Sequence, residues 1–79
     1  MSGPGRVVDV DAGTVPNTNE AARRVLVDRS TGECLLFYVP IGNDPPIGSL
    51  IDWSARHAWW PGHRVDKLSN ELDPNQPLR

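Results

Sequence analysis

The segment Ser49-Leu-Ile-Asp-Trp-Ser-Ala-Arg-His-Ala-Trp-Trp-Pro-Gly62 holds all three tryptophans of the chain and carries the start and stop signals of a helix. Ser49 offers an N-cap hydroxyl with a carboxylate, Asp52, three residues on, and Pro61-Gly62 supplies a stop. Between them Leu50, Trp53, His57 and Trp60 recur at helical spacing, while Ile51, Ala55, Ala58 and Trp59 widen the stripe. The pattern predicts a helix over 50–60 with a broad apolar face.

Upstream, Arg23-Arg-Val-Leu-Val-Asp-Arg-Ser-Thr-Gly-Glu-Cys-Leu-Leu-Phe-Tyr-Val39 sets two β-branched or aromatic runs about a polar segment, Asp28 to Glu33. Asp28 and Ser30 can bond downstream backbone amides, and Gly32 can take the positive φ of a turn closed by a bulge, so the stretch predicts a β-hairpin. Its second run is apolar on both faces, which requires cover on both sides. Arg6 to Asp11 reads as a third strand, whose alternating Asp9 and Asp11 suit an edge where charge discourages further pairing. Asn17 to Glu20 has the spacing of a capping box and predicts one helical turn before the hairpin. Pro40 to Gly48, with three prolines, is an extended arm or linker. Beyond His63, the spacing of Val65, Leu68 and Leu72 suits two further helical turns before Asp73-Pro74.

These elements assemble as a small α+β domain: an antiparallel sheet built on the hairpin 23–39, with a third strand over 6–11, covered by the helix 50–60, with Pro-rich arms extended. Residues 1–79 form one domain, 40–48 being a linker and 1–5 and 73–79 ends that are flexible or ordered by a partner. A chain of 79 residues with a single Cys has no disulfide set to staple it. Domains this small gain stability from self-association or from a partner when the core is thin.

The composition narrows the function classes. A formal net charge of −2 lacks the basic footprint of a dedicated nucleic-acid binder. The longest apolar run, Leu35 to Val39, is far short of a membrane span. The N-terminal residues lack the apolar core of a signal peptide, so a cytoplasmic location is expected. Cys34, with hydrophobic neighbours, is expected to be a buried thiol.

Acid–base and metal chemistry find little purchase. His57 and His63 lie six apart across a Pro-Gly break, whereas a helical zinc pair sits at i, i+4, and no third and fourth ligand accompanies them. No phosphate loop, nucleophile elbow or nucleophile with a positioned base is present, so no metal, cofactor or catalytic residue is expected. A small hydrolase or nuclease would use His57 or His63 as base, with Arg56 or Arg64 on developing phosphate charge and Asp52 or Asp66 nearby.

The more informative cluster is aromatic and basic. Trp53, Arg56, Trp59, Trp60 and Arg64 combine the residue types that dominate interface hot spots, because they bury large areas and keep a polar handle. The expectation is a non-enzymatic interaction or assembly protein that binds another protein or a second copy of itself through this cluster and a face of the hairpin. It is the style of a small accessory or structural protein of a phage or bacterium. The alternative is single-strand nucleic-acid binding, with the tryptophans stacking bases and Arg56, Arg64 and Lys67 on phosphates.

Overall fold

The computed structural model describes residues 4–29 and 32–74. They form six strands: β1 (Gly5–Thr14), β2 (Ala21–Arg29), β3 (Cys34–Val39), β4 (Leu50–Trp53), β5 (His57–Trp60) and β6 (His63–Asp66). Every pairing is antiparallel, in the order β3-β2-β1-β4-β5-β6. There is no helix among the described residues. The architecture is therefore all-β, and the α+β expectation is overturned.

The correction lies in 50–60, which is a hairpin. Asp52 pairs with Trp59 and Trp53 with Ala58. Ile51 and Trp53 on β4, and Ala58 and Trp60 on β5, point inward at the two-residue period of a strand and are all buried. The chain reverses at Ser54 to His57, where the Ser54 N–H donates to the His57 carbonyl (2.8 Å) and the His57 N–H to Ser54 Oγ (3.3 Å). The supposed helical stripe is split between environments, with Trp53 and Trp60 in the core and Leu50 57% exposed. Pro61-Gly62 does not stop a helix. Gly62 has φ +82°, and the pair forms the tight turn between Trp60 and its partner His63.

β2 and β3 pair as the hairpin reading expected, with Val25 opposite Phe37 and Leu26 opposite Leu36. Gly32 has φ +84°, while Ser30, named as a turn bond-former, lies outside the described residues. The third strand is β1, longer than the 6–11 expected and broken by a bulge between Val7 and Asp9. Asn17 to Glu20 is not a helical turn. The chain reverses at Val15-Pro16-Asn17-Thr18, where the Thr18 N–H donates to the Val15 carbonyl and Asn17 takes φ +65°, as a turn with Pro at its second position and Asn at its third requires.

The last described segment closes the sheet. Instead of helical turns through Val65, Leu68 and Leu72, the chain leaves β6 and lies along the free edge of β3. The Leu36 N–H donates to the Leu72 carbonyl (2.8 Å), the Leu72 N–H to Leu36 (2.7 Å), and the Leu68 N–H to Tyr38 (2.7 Å). One side of the sheet encloses Val7, Val25, Val27, Phe37, Val39, Ile51, Trp53, Ala58 and Trp60. On the other side Leu36 and Tyr38 are covered by Leu68 and Leu72, so β3 is buried on both faces. Cys34, at the turn end of β3, is exposed rather than buried, with Sγ 4.0 Å from Asp28 Oδ1.

Gly5 marks the tightest contact in this core. A Cβ there would stand 2.5 Å from Val27 Cγ1 and 3.1 Å from the Trp53 ring, both side chains being fully buried. Gly5→Ala is expected to cost about 1–3 kcal/mol by overpacking, measured as a lowered urea midpoint with an unchanged m-value. An unchanged midpoint would place β1 further from β2 and β4 than described.

Candidate functional site

The strand alternation that buries two tryptophans exposes the third. Trp53 is fully buried, its ring 6.1 Å from Phe37, and Trp60 is buried and stacked on His63 at 5.5 Å with an interplanar angle of 24°. Trp53 is enclosed in the core and Trp60 keeps only a sliver of surface, so the three tryptophans grouped from the sequence do not form one exposed patch. Trp59, between them in β5, faces outward and is 38% exposed. Adjacent residues on a strand point to opposite faces, so Trp59 and Trp60 could not share one environment.

The outer face of β4, β5 and β6 brings charged groups to either side of Trp59. Asp52 is its cross-strand neighbour on β4 and Arg64 its neighbour on β6, while His57 stands opposite Asp66. His57 Nε2 lies 3.4 Å from Asp66 Oδ1 and 3.5 Å from Arg64 Nη2. These three side chains form a polar strip beside the indole. Arg56 sits in the exposed β4–β5 turn, at the end of this face.

Two open grooves flank the indole. One, about 490 Å³, is lined by Ser54, His57, Trp59 and Arg64. The other, about 310 Å³, is almost wholly apolar, with Leu50, Ile51, Trp59, Trp60 and Pro61 on its walls and Asp52 at one side. A flat apolar group could lie in the second while an anionic or hydrogen-bonding group meets Arg64 and His57 in the first.

Lys67 does not belong to this surface. Its side chain is fully buried, with Nζ 2.7 Å from both Glu71 Oε2 and the Ser54 carbonyl, and 5.4 Å from the centre of the Phe37 ring. The expectation of Lys67 on a phosphate is corrected accordingly. Among the described residues, no group of three or more His, Cys, Asp and Glu side chains is placed to hold a metal ion.

Sequence reasoning also passed over a repeated turn. Pro40-Ile-Gly-Asn43 and Pro46-Ile-Gly-Ser49 each close with a hydrogen bond from the fourth residue to the first carbonyl, and Gly42 and Gly48 take φ +92° and +91°. Both present an isoleucine to solvent, Ile41 at 59% and Ile47 at 64% exposure. The recurrence of Pro-Ile-Gly six residues apart was the available signal.

No family model, curated protein or solved structure matches this chain. What the face around Trp59 can do follows from its geometry. It offers an aromatic platform on the middle strand of β4, β5 and β6, opposite charges at either side, and grooves open enough for a polymer side chain.

Proposed function

We propose that this is a non-enzymatic, cytoplasmic interaction domain that docks another protein through the outer face of β4, β5 and β6. The observation that carries the reading is Trp59, exposed on the middle strand of that face between Asp52 and Arg64 while Trp53 and Trp60 fill the core. An exposed tryptophan on a strand costs little conformational entropy to immobilise and buries a large area against a partner. Arg64 and Arg56 favour an acidic group beside the segment that covers the indole, and Asp52 fixes its direction.

His57 and Asp66 are close enough to act as an acid–base pair, but His57 Nε2 is shared with Arg64 and the pair lies on an open surface, Asp66 being 78% exposed. That geometry fits recognition better than proton transfer, which works best in a site shielded from water.

A photoreactive phenylalanine derivative in place of Trp59 tests the proposal in the cell of origin. The expected result is a discrete adduct sensitive to protease and resistant to nuclease, absent when the same group replaces exposed Asn19. A nuclease-sensitive adduct would instead establish base stacking on Trp59. Adducts equal at both positions would remove the docking face. Trp59→Ala should leave thermal stability within a few degrees while abolishing the interaction, because the side chain it removes is already partly in water.

A further inference from the structure

Among the described residues, β1 has one paired edge and one that is open over much of its length. β2 follows it from Gly5 to Thr14, whereas β4 meets it only at Gly5 and Arg6, extended by bonds between Val7 and the Gly48–Ser49 backbone. The Val15 N–H donates across to the Glu20 carbonyl. By strand alternation Asp11 and Gly13 also turn their backbone groups toward β2, and Val10, Ala12 and Thr14 turn theirs outward. The side chains confirm the parity. The Val10 N–H donates to Asp9 Oδ1 (3.0 Å) and the Ala12 N–H to Asp11 Oδ1 (2.8 Å), so these two outward amides are each held by the carboxylate just before them.

We propose that this edge, Val10 to Thr14, accepts an extended basic segment of a partner protein as an added outer strand. An incoming strand gains main-chain hydrogen bonds from the outward groups of Val10, Ala12 and Thr14. Lys or Arg at alternate positions would meet Asp9 and Asp11 as opposite-charge cross-strand neighbours, drawing the carboxylates off the two amides and freeing these for the new ladder. Ala12, Gly13 and Thr14 are small and leave the approach clear. Arg24, opposite Asp11 on β2, partly offsets that charge, which leaves Asp9, opposite Leu26, as the stronger anchor.

A second copy of this chain is the wrong occupant. Pairing β1 with β1 through these outward groups sets Asp9 and Asp11 directly opposite, or diagonal to, the same residues of the copy, and like charges across a ladder repel. The carboxylates thus discriminate as well as cover. This surface is separate from the Trp59 face, and the two proposals stand or fall independently.

The test is a titration of the ¹⁵N-labelled chain with the capped peptides Lys-Thr-Lys-Thr-Lys and Glu-Thr-Glu-Thr-Glu, with amide exchange as readout. The expected result is slowed exchange at Val10, Ala12 and Thr14 with the basic peptide alone, weakening as salt is raised. Asp9→Thr/Asp11→Thr should abolish the preference between the peptides, at least tenfold in Kd. Ala12→Pro removes an outward N–H that the native sheet does not use, so the fold survives by circular dichroism while peptide binding is lost. Should Ala12→Pro unfold, the threonine pair alone decides. No protection at the three amides, equal binding of both peptides to the unmodified chain, or dimerisation of that chain through this edge each overturns the proposal, leaving Asp9 and Asp11 as a cover against strand pairing.

Discussion

Trp53→Ala should abolish the cooperative folding of this chain at room temperature. The side chain is fully buried, packs against Phe37 and approaches the space kept open by Gly5. Removing a core tryptophan costs about 3–5 kcal/mol in lost burial and residual cavity, comparable to the whole stability of many small domains. Its Nε1 has no hydrogen-bond partner among the described residues, so the indole nitrogen is held at a penalty. Trp53→Phe discards that penalty together with part of the volume and should be far milder, about 1–2 kcal/mol. Urea unfolding followed by circular dichroism separates the two. A Trp53→Ala variant melting within a few degrees of the parent would show that this residue is not the centre of the core.

Lys67→Ala is expected to cost about 3 kcal/mol, because it strips the partners of a buried cation and leaves their polar groups in place. The Lys67 ammonium ties the β4–β5 turn, through the Ser54 carbonyl, to the segment that closes the sheet, through Glu71. Replacing both members, as Lys67→Met/Glu71→Leu, should recover most of the loss, since apolar groups of similar size carry no desolvation cost. If the double variant is as unstable as the single one, the loss lies in packing or in the Ser54 carbonyl left without its donor, and not in the charge pair. Burial pushes the Glu71 carboxyl up, but the hydrogen bond and attraction of Lys67, with a backbone hydrogen bond, outweigh it and hold the group below the ordinary carboxylate range. A depressed acid stabilises the fold fully above its unfolded value and loses that contribution as pH falls through the folded one. Stability of the parent should therefore decline with acidification across that window, and Lys67→Met/Glu71→Leu should flatten the decline.

The legibility of the chain followed the length of its strands. The hairpin of β2 and β3 could be read because Val25 to Arg29 and Cys34 to Val39 are long enough for alternation to show, and a polar turn divides them. β4 and β5 are four residues each, too short for a two-residue period to compete with a helical one over the same eleven positions. Leu50, Trp53, His57 and Trp60 satisfied the helical template, although the strands divide them between faces and bury Ile51, Trp53, Ala58 and Trp60 instead, and Ala and Arg are good helix formers. Tertiary pairing decided the matter, since Ile51 and Trp53 needed a core that only a strand could reach. The Pro-Gly pair was legible as a stop and illegible as a turn, because either use places Pro61 and Gly62 at the same positions.

The candidate site was half visible for the same reason. Trp59 and Arg64 were singled out by residue type, and the structure sets them side by side. That Trp53 and Trp60 belong chiefly to the core follows only from knowing which face each strand buries. Lys67 gave no sign of its burial, because the cation is satisfied by Glu71 and by the Ser54 carbonyl of the β4–β5 turn, which comes beside it only once β5 and β6 pair.

The seam between Leu36 and Leu72 also has a bearing on synthesis. The two residues that staple it are 36 positions apart in the chain, and the inner core draws on strands from Val7 to Trp60. Local contacts cannot shut this sheet. A ribosome-bound chain lacking residues 68–72 would hold its first three strands with the outer face of β3 bare, Leu36 and Tyr38 open to any neighbour. Folding dominated by such distant pairings is slow, and the interval before the seam closes is when the nascent protein is most exposed to aggregation and to chaperones.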